Sequence, residues 1–506
     1  MPAPARDRDP APAAPLAPGN LTLFADLYQL TMMYGYLQAG KADTLACFDL
    51  YFRRNPFGNG FAIMAGLESV LSYIEHLQFT ADDEAFLRSS GLFPDERFFE
   101  ALKSLRFTGT MYAMPEGTIA FPNEPLVRVE ARLFEAQLLE TALLALIGHQ
   151  TLIATKADRV VRAAQGRPVF EFGARRAHGP EAALYGARAA IIGGCVGTSN
   201  VQAAKRFGIP ITGTQGHSWV ASFESELAAF RAYAAVYPDN LVLIVDTVDV
   251  LRSGLPNAIT VFHEVHARHG KPQLFGIRLD SGDLAYLSRE ARRVLDQSGF
   301  PDAKILASND LDEEIIASLH AQGARIDGYG VGTKLLTAFD QPALGCIYKL
   351  AAIADHRGWS PRIKVSENPE KVTTPGVKRV MRLFTPESGD ASVDFVMFAD
   401  EHLPAEPFVV SDPLHTWKRK LAYPENAQEL LVPVFVDGRC VYDPPSLPNI
   451  AASTQRNLKT IPEETKRLLN PHVHHVDLSQ RLWEAKQALL QHVRAEMGKV
   501  DAVPTG

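Results

Sequence analysis

The stretch Gly208-Ile209-Pro210-Ile211-Thr212-Gly213-Thr214-Gln215-Gly216-His217-Ser218-Trp219-Val220 turns from a short apolar run into small and hydroxylated residues and delivers one histidine. β-Branched residues favour a buried strand here, and Gly213 and Gly216 allow backbone N–H groups to come close to a ligand. At the end of such a strand His217 can serve as a base, a nucleophile or a phosphoryl acceptor. The plainer role is a core histidine bonded to a neighbouring carbonyl. Its company favours the chemical role. Glu171 with Arg175-Arg176, Asp246-Thr247, Arg278 with Asp280, Ser308-Asn309-Asp310, and Gly330-Val331-Gly332-Thr333 also follow short apolar runs. Any one of these is compatible with a cap or a turn, but together they read as the polar rim of one site.

Each group suits a part of anion chemistry. Arg175 and Arg278 can each grip a carboxylate or phosphate through two parallel hydrogen bonds. Gly328-Tyr329-Gly330-Val331-Gly332-Thr333-Lys334 offers glycine N–H groups and a hydroxyl that suit a phosphate, although it lacks the Walker spacing. Asp246, Asp280 and Asp283 can hold Mg²⁺, which binds through few carboxylates plus substrate phosphates; pairing with the arginines is the alternative. His263, His266 and His269 lack metal-ligand spacing and read as a helix surface. Pro471-His472-Val473-His474-His475 has no partner ligand at suitable spacing.

The elements that must position these groups alternate strand and helix. Candidate strands are Val169–Gly173, Gly194–Val196, Ile209–Thr212, Leu241–Asp246, Leu274–Leu279, Lys304–Ala307, Ile326–Gly330 and Leu344–Ala352. Eight such units favour a closed, irregular α/β barrel of the TIM type, with its working residues where strands end. After Asp280, Ser281 is placed to cap a helix carrying Leu284, Leu287, Ala291, Val294 and Leu295, with Gly299 past its end. Upstream, Leu27, Leu30, Tyr34 and Leu37 recur at helical spacing before Gly40, leaving Tyr28 off the stripe as a ring for a planar ligand or an exposed side chain. Thr44–Tyr51 and Gly60–Ala65 read as strands around the turn at Arg53-Arg54-Asn55-Pro56, and Leu133–Ile147 as a buried helix. The chain thus divides into a disordered leader over 1–19, an N-terminal α+β domain over 20–150, the barrel over 151–375, and a segment over 376–506. That last segment ends in an amphipathic helix near Leu478–Met497 and can fold back on the N-terminal domain.

Composition narrows the functional classes. At 506 residues, 46% hydrophobic and 22% charged, the chain has ample core for two to four domains. A net charge of −7 provides no basic field for nucleic acid or an anionic membrane, so an anionic substrate must be met by local arginines. Cys47, Cys195, Cys346 and Cys440 are too scattered for a zinc site or a disulfide framework, which points to a reduced, cytoplasmic protein. No apolar run approaches the ~18 residues of a membrane span, and the Pro/Ala-rich first residues lack the apolar core of a signal peptide.

Asp26-Leu27-Tyr28-Gln29-Leu30-Thr31-Met32, Phe52-Arg53-Arg54-Asn55-Pro56-Phe57-Gly58, Glu171-Phe172-Gly173-Ala174-Arg175-Arg176-Ala177, Gly213-Thr214-Gln215-Gly216-His217-Ser218, Arg278-Leu279-Asp280-Ser281-Gly282-Asp283-Leu284 and Ser308-Asn309-Asp310 occur in this order. The set resembles the nicotinate phosphoribosyltransferase family across most of residues 20–375. Gly216 departs from relatives that carry alanine before the histidine, but a small residue is kept. The resemblance implies a type II phosphoribosyltransferase, usually a homodimer with active sites at the subunit interface. Its reaction joins nicotinate to 5-phosphoribosyl 1-diphosphate with ATP hydrolysis, a step of NAD salvage. By motif position His217 is then the phosphorylated histidine. Tyr28, Arg175, Thr214 and Arg278 are nicotinate contacts, and Thr373 in Glu370-Lys371-Val372-Thr373 is a phosphoribosyl diphosphate contact. Asp246 joins His217, Arg278 and Asp280 in the catalytic group. Ser308, Asn309, Gly330, Gly332 and Thr333 complete the substrate-binding set, with Asp280 and Asp283 as the candidate Mg²⁺ ligands. Nicotinamide phosphoribosyltransferase is the nearest rival; it places an aspartate in the segment equivalent to Gly197-Thr198-Ser199-Asn200, which has no carboxylate here. A non-catalytic nucleotide-binding barrel is the rival of another class.

Overall fold

Leu241-Val242-Leu243-Ile244 is buried along its whole length, as a strand covered on both faces must be. A computed structural model describes residues 20–368, 371–412 and 417–500; the leader expected over 1–19, and Glu370 of the Thr373 motif, lie outside the described residues. In it Asn240–Ile244 is the edge of a six-stranded parallel sheet. The order continues through Leu274–Leu279, Lys304–Ala307, Gly328–Val331, Val169–Glu171 and Gly197–Thr198. Leu274–Leu279 and Lys304–Ala307 have the bounds the sequence predicts, because each is an apolar run closed on both sides by turn formers.

The winding is that of a barrel, since the last strand of the set, Gly328–Val331, pairs with the first, Val169–Glu171. The expected closed TIM-type barrel is nevertheless not formed. Ile209–Thr212 contributes only a bridge from Ile211 to Thr198, and no ladder joins it to Asn240–Ile244 among the described residues. Pro210 has no N–H to give a ladder, and Ile211 is 61% exposed where a barrel strand would be covered. The result is a curled, open half-barrel. The segment expected at Gly194–Val196 pairs slightly later, as Gly197–Thr198.

The eighth predicted strand belongs elsewhere. Cys346–Asp355 pairs antiparallel with Leu45–Phe52, and Tyr348 stacks on Phe48 with centroids 4.8 Å apart. This cross-strand packing joins the end of the barrel region to a seven-stranded antiparallel sheet that also contains Val127–Arg132 and Thr110–Ala113. The C-terminal segment enters the same sheet, with Val432–Val436 pairing with Thr110–Ala113. It also builds a four-stranded sheet from Lys378–Phe384, Ala391–Phe398, Gln428–Glu429 and His475–Leu478.

The helix Glu140–Ala163, which is unbroken at residue 150 and mostly buried, packs on Cys346–Asp355 of the antiparallel sheet and on the helix Pro180–Ile192. The expected apolar helix near Leu133–Ile147 is thus two helices, Leu133–Leu138 and this longer one. The first helix, Leu27–Gln38, buries Gln29, Leu30 and Met33 and packs Tyr34 and Leu37 of the expected stripe against the core, so that only Leu27 departs from it. Gln29 anchors it, donating to the carbonyls of Gln137 and Leu138 at 2.9 Å each. Leu27, Tyr28 and Met32 remain exposed on its outer side. No helix among the described residues is long and apolar enough to cross a membrane.

Candidate active site

The carboxyl ends of the parallel strands surround a cleft of about 430 Å³. Nine of the sequence-predicted residues line it: Arg175, Thr214, Arg278, Asp280, Ser308, Asn309, Gly330, Gly332 and Thr333. A cavity of about 650 Å³ among Phe395, Met397, Phe408 and Trp483 in the C-terminal segment is roomier, but it gathers none of these groups.

Local chemistry explains how each wall is held. Glu171 is fully buried at the end of its strand and accepts from the Gly173 N–H and, at 2.5 Å, from the Thr198 hydroxyl. Burial pushes this carboxyl up, and those two donors oppose the shift. Glu171 therefore acts as a clamp on the turn Ala174–Arg176, which presents Arg175, rather than as a group facing substrate. On the next wall, Arg278 Nη1 donates to Thr214 Oγ1 at 2.5 Å. Burial holds the Arg278 guanidinium below its usual range, the carboxylates of Asp280 and Asp246 push it back up, and Arg175 adds to the lowering.

Ser308 donates to Asp280, and the loop behind it carries two non-glycine residues in the left-handed region, Asn309 at φ 88° and Asp310 at φ 43°. Such backbone is disfavoured unless the surroundings impose it, and it concentrates at functional loops. Gly330 is needed for space: a Cβ there would lie 2.5 Å from the ring of Phe172, which itself lines the cleft.

His217 begins a short helix at the margin of the cleft. Its Nδ1 is 3.0 Å from Thr247 Oγ1 and its Nε2 is 3.6 Å from Asp280 Oδ2. Asp246 stands behind this pair: one of its oxygens accepts from the Asp280 N–H at 2.9 Å and from Ser281 Oγ at 2.6 Å, while Oδ1 is buried without a partner. The helix Leu284–Gln297 is capped by Asp283, whose Oδ1 accepts from the Tyr286 N–H at 2.9 Å, and not by Ser281 as expected. Asp283 is thereby used as a cap and does not line the cleft, whose carboxylates are Asp280 and Asp310, with Asp246 behind Asp280. Among the described residues no group of three or more His, Cys, Asp or Glu side chains is arranged to hold a metal on its own.

Two predicted contacts lie apart in the single chain. Tyr28 is on the first helix, where partial burial and then the Glu140 carboxylate push its hydroxyl up. Thr373 is buried, its hydroxyl accepting from the Lys364 N–H at 2.9 Å. The sequence reading assigned no role to Phe172, Ser199 or Gln215, all of which line the cleft. Gln215 sits between two residues of a motif already singled out, but nothing local in the sequence signals its burial.

Residues 23–148 match the nicotinate phosphoribosyltransferase N-terminal domain, 168–380 the nicotinate phosphoribosyltransferase family, and 377–486 the corresponding C-terminal domain. Nicotinate phosphoribosyltransferase of Bacillus subtilis is 47% identical over 479 residues, covering 94% of this chain and 97% of that protein. Nicotinate phosphoribosyltransferase 2 of Arabidopsis thaliana is 36% identical over 93% of this chain and 94% of its own length. The crystal structure of human nicotinic acid phosphoribosyltransferase superposes with a TM-score of 0.82 at 32% identity, covering 92% of this chain and 99% of that one. With matches over nearly its whole length, the chain belongs to the nicotinate phosphoribosyltransferase family.

Proposed function

We propose that the chain makes nicotinate mononucleotide and diphosphate from nicotinate and 5-phosphoribosyl 1-diphosphate in NAD salvage, with ATP hydrolysis coupled through phosphorylation of His217. The observation that carries this reading is the cleft itself: Arg278 and Thr214 joined at 2.5 Å beside Arg175, with His217 suspended between Thr247 and Asp280. When diphosphate departs, positive charge develops on the ribose and the pyridine nitrogen attacks it. Catalysis is then positioning plus charge stabilisation, with little proton transfer. Arg278 and Arg175 orient the carboxylate of nicotinate. Asp280 holds the electrostatics at the reacting carbon and, through Ser308, fixes the loop bearing Asn309. The orphaned oxygen of Asp246 and the free side of Asp280 suit a Mg²⁺ ion that would take its other ligands from substrate phosphates and neutralise the leaving diphosphate.

Neutral imidazole is nucleophilic and needs no further base to accept a phosphoryl group, and the hydrogen bond to Thr247 fixes the ring. The added charge at the Gly213–Gly216 segment would tighten the grip on phosphoribosyl diphosphate until hydrolysis releases product. Ser199 lines the cleft with a hydroxyl rather than a carboxylate, which favours nicotinate over nicotinamide as substrate. Turnover assays with ATP and each pyridine in turn test the reading. Nicotinate should win by more than tenfold in kcat/KM, since one charge-assisted hydrogen bond is worth about 1.5–3 kcal/mol. Equal values for the two substrates would overturn it.

The exposed Leu27, Tyr28 and Met32 support a homodimer in which this helix meets the partner's cleft. Mixed Tyr28→Ala and His217→Ala proteins should then regain activity through hybrid dimers; subunit exchange without any recovery would refute a shared site. Four free cysteines, two of them buried, accord with a reducing cytoplasmic compartment.

A further inference from the structure

Gln215 is the side chain of the Gly213–Gly216 segment that is shut away, 7% exposed in the wall of the cleft. Neither Nε2 nor Oε1 has a hydrogen-bond partner among the described residues, and both are out of reach of bulk water. Its neighbour Thr214 is engaged by Arg278, and Arg278 Nε is likewise buried and unpartnered. The cleft therefore holds three idle N–H donors on adjacent groups, two from the amide and one from the guanidinium. Buried polar groups in a folded chain are almost always paired, and idle donors clustered in one wall mark a place where a ligand completes the pairing. A carboxylate is the complementary group, because its two oxygens offer about four lone-pair sites and no donor. The hydroxyl and glycine groups of Ser308, Gly330 and Thr333, which also line the cleft, are by contrast suited to a phosphoribosyl moiety.

We propose that Gln215 is a further substrate-contacting residue, its amide turning from the wall into the cleft to donate an N–H to the carboxylate of the pyridine substrate beside Arg278. The inference rests on reading the cleft as a nicotinate site and adds the residue that shares the carboxylate with arginine. Gln215→Leu keeps the volume and removes both polar atoms; Gln215→Glu puts a like charge against the substrate. The expected results for Gln215→Leu are a nicotinate KM raised about tenfold, a phosphoribosyl diphosphate KM within about twofold of wild type, and a ligand-free melting temperature equal or higher, since an unpaired buried amide has been removed. Gln215→Glu should weaken nicotinate further and lower the preference for nicotinate over nicotinamide. An unchanged nicotinate KM in Gln215→Leu, a change confined to phosphoribosyl diphosphate, or a lowered melting temperature with both KM values displaced would each overturn the assignment. Wild-type turnover of nicotinate is measured alongside. If it is absent, the functional reading fails by itself, and calorimetric titration of nicotinate into wild type and Gln215→Leu then decides whether Gln215 contacts the carboxylate.

Discussion

Arginine, aspartate and histidine meet in two places in this molecule, with opposite consequences. At the cleft, Arg278, Asp280 and His217 stand at the open ends of parallel strands, with the His217 side chain 45% exposed. In the C-terminal sheet, Arg382 grips Asp394 through two bonds of 2.8 and 2.5 Å and also donates to the Ile119 carbonyl. His474 there lies 3.4 Å from Asp394 and stacks on Phe121 with centroids 3.9 Å apart. All of these side chains are enclosed. Burial holds His474 below its ordinary value, Arg382 holds Asp394 well below the carboxylate range, and burial together with the Asp394 charge pushes Glu124 well up. Arg382 and Asp394 thus form the ion pair of this cluster, and burial disfavours the charged forms of His474 and Glu124. Residue type alone does not make a reactive site; unpaired hydrogen-bonding capacity and an open path do.

Removing each histidine in turn should separate the two clusters by the largest effect. His217→Ala should abolish nicotinate-dependent ATP hydrolysis and acid-labile labelling from γ-labelled ATP without lowering the melting temperature. His474→Ala should lower the melting temperature and leave turnover per folded molecule intact. Full labelling in a folded His217→Ala protein would show that the acceptor lies elsewhere.

The aspartates should part in the same way. Asp394→Ala strips Arg382 of its partner in a buried site and should cost about 3–5 kcal/mol in denaturant unfolding. A loss below about 1 kcal/mol would mean that water reaches this cluster. Next in size, Arg278→Leu should reduce kcat/KM for nicotinate about ten- to a hundredfold, from the loss of one charged hydrogen bond. It should not destabilise the ligand-free fold, because burial already penalises that charge. A marked fall in stability would make Arg278 a structural residue like Arg382.

The smallest effect concerns Asp477, buried near the second cluster with neither carboxylate oxygen paired. Burial, and then the charge of Asp412, push it up to about 6. A raised carboxyl pKa binds more protons in the folded state. Its contribution to stability is therefore complete below the unfolded value of about 3.9 and is lost as pH rises through 6. Asp477→Asn should raise the melting temperature at pH 7 and remove that decline. An unchanged pH profile would show that Asp477 is ionised and solvated.

What the sequence determined by itself is local. Arg175, Arg278, Ser308 and Gly330 could be assigned to one rim because each lies at or just past the end of an apolar run that pairs as a strand, and strand ends in such folds converge, whereas Thr214 reaches the rim on a segment that forms only a bridge. The same logic placed Leu274–Leu279 and Lys304–Ala307. Tertiary structure decided the matters of pairing. It left the half-barrel open between Ile211 and Asn240, and it gave Cys346–Asp355 to the antiparallel sheet, where Tyr348 could stack on Phe48. It also made Asp283 a cap, Glu171 a clamp, Gln215 a buried unpaired amide, and His474, in a run that looks like any polar loop, part of a buried ion cluster. Hydrophobic periodicity and turn chemistry are written within a few residues, whereas the partner of a strand or a charge lies up to hundreds of residues away and is chosen by packing and by the cost of leaving a polar group unpaired.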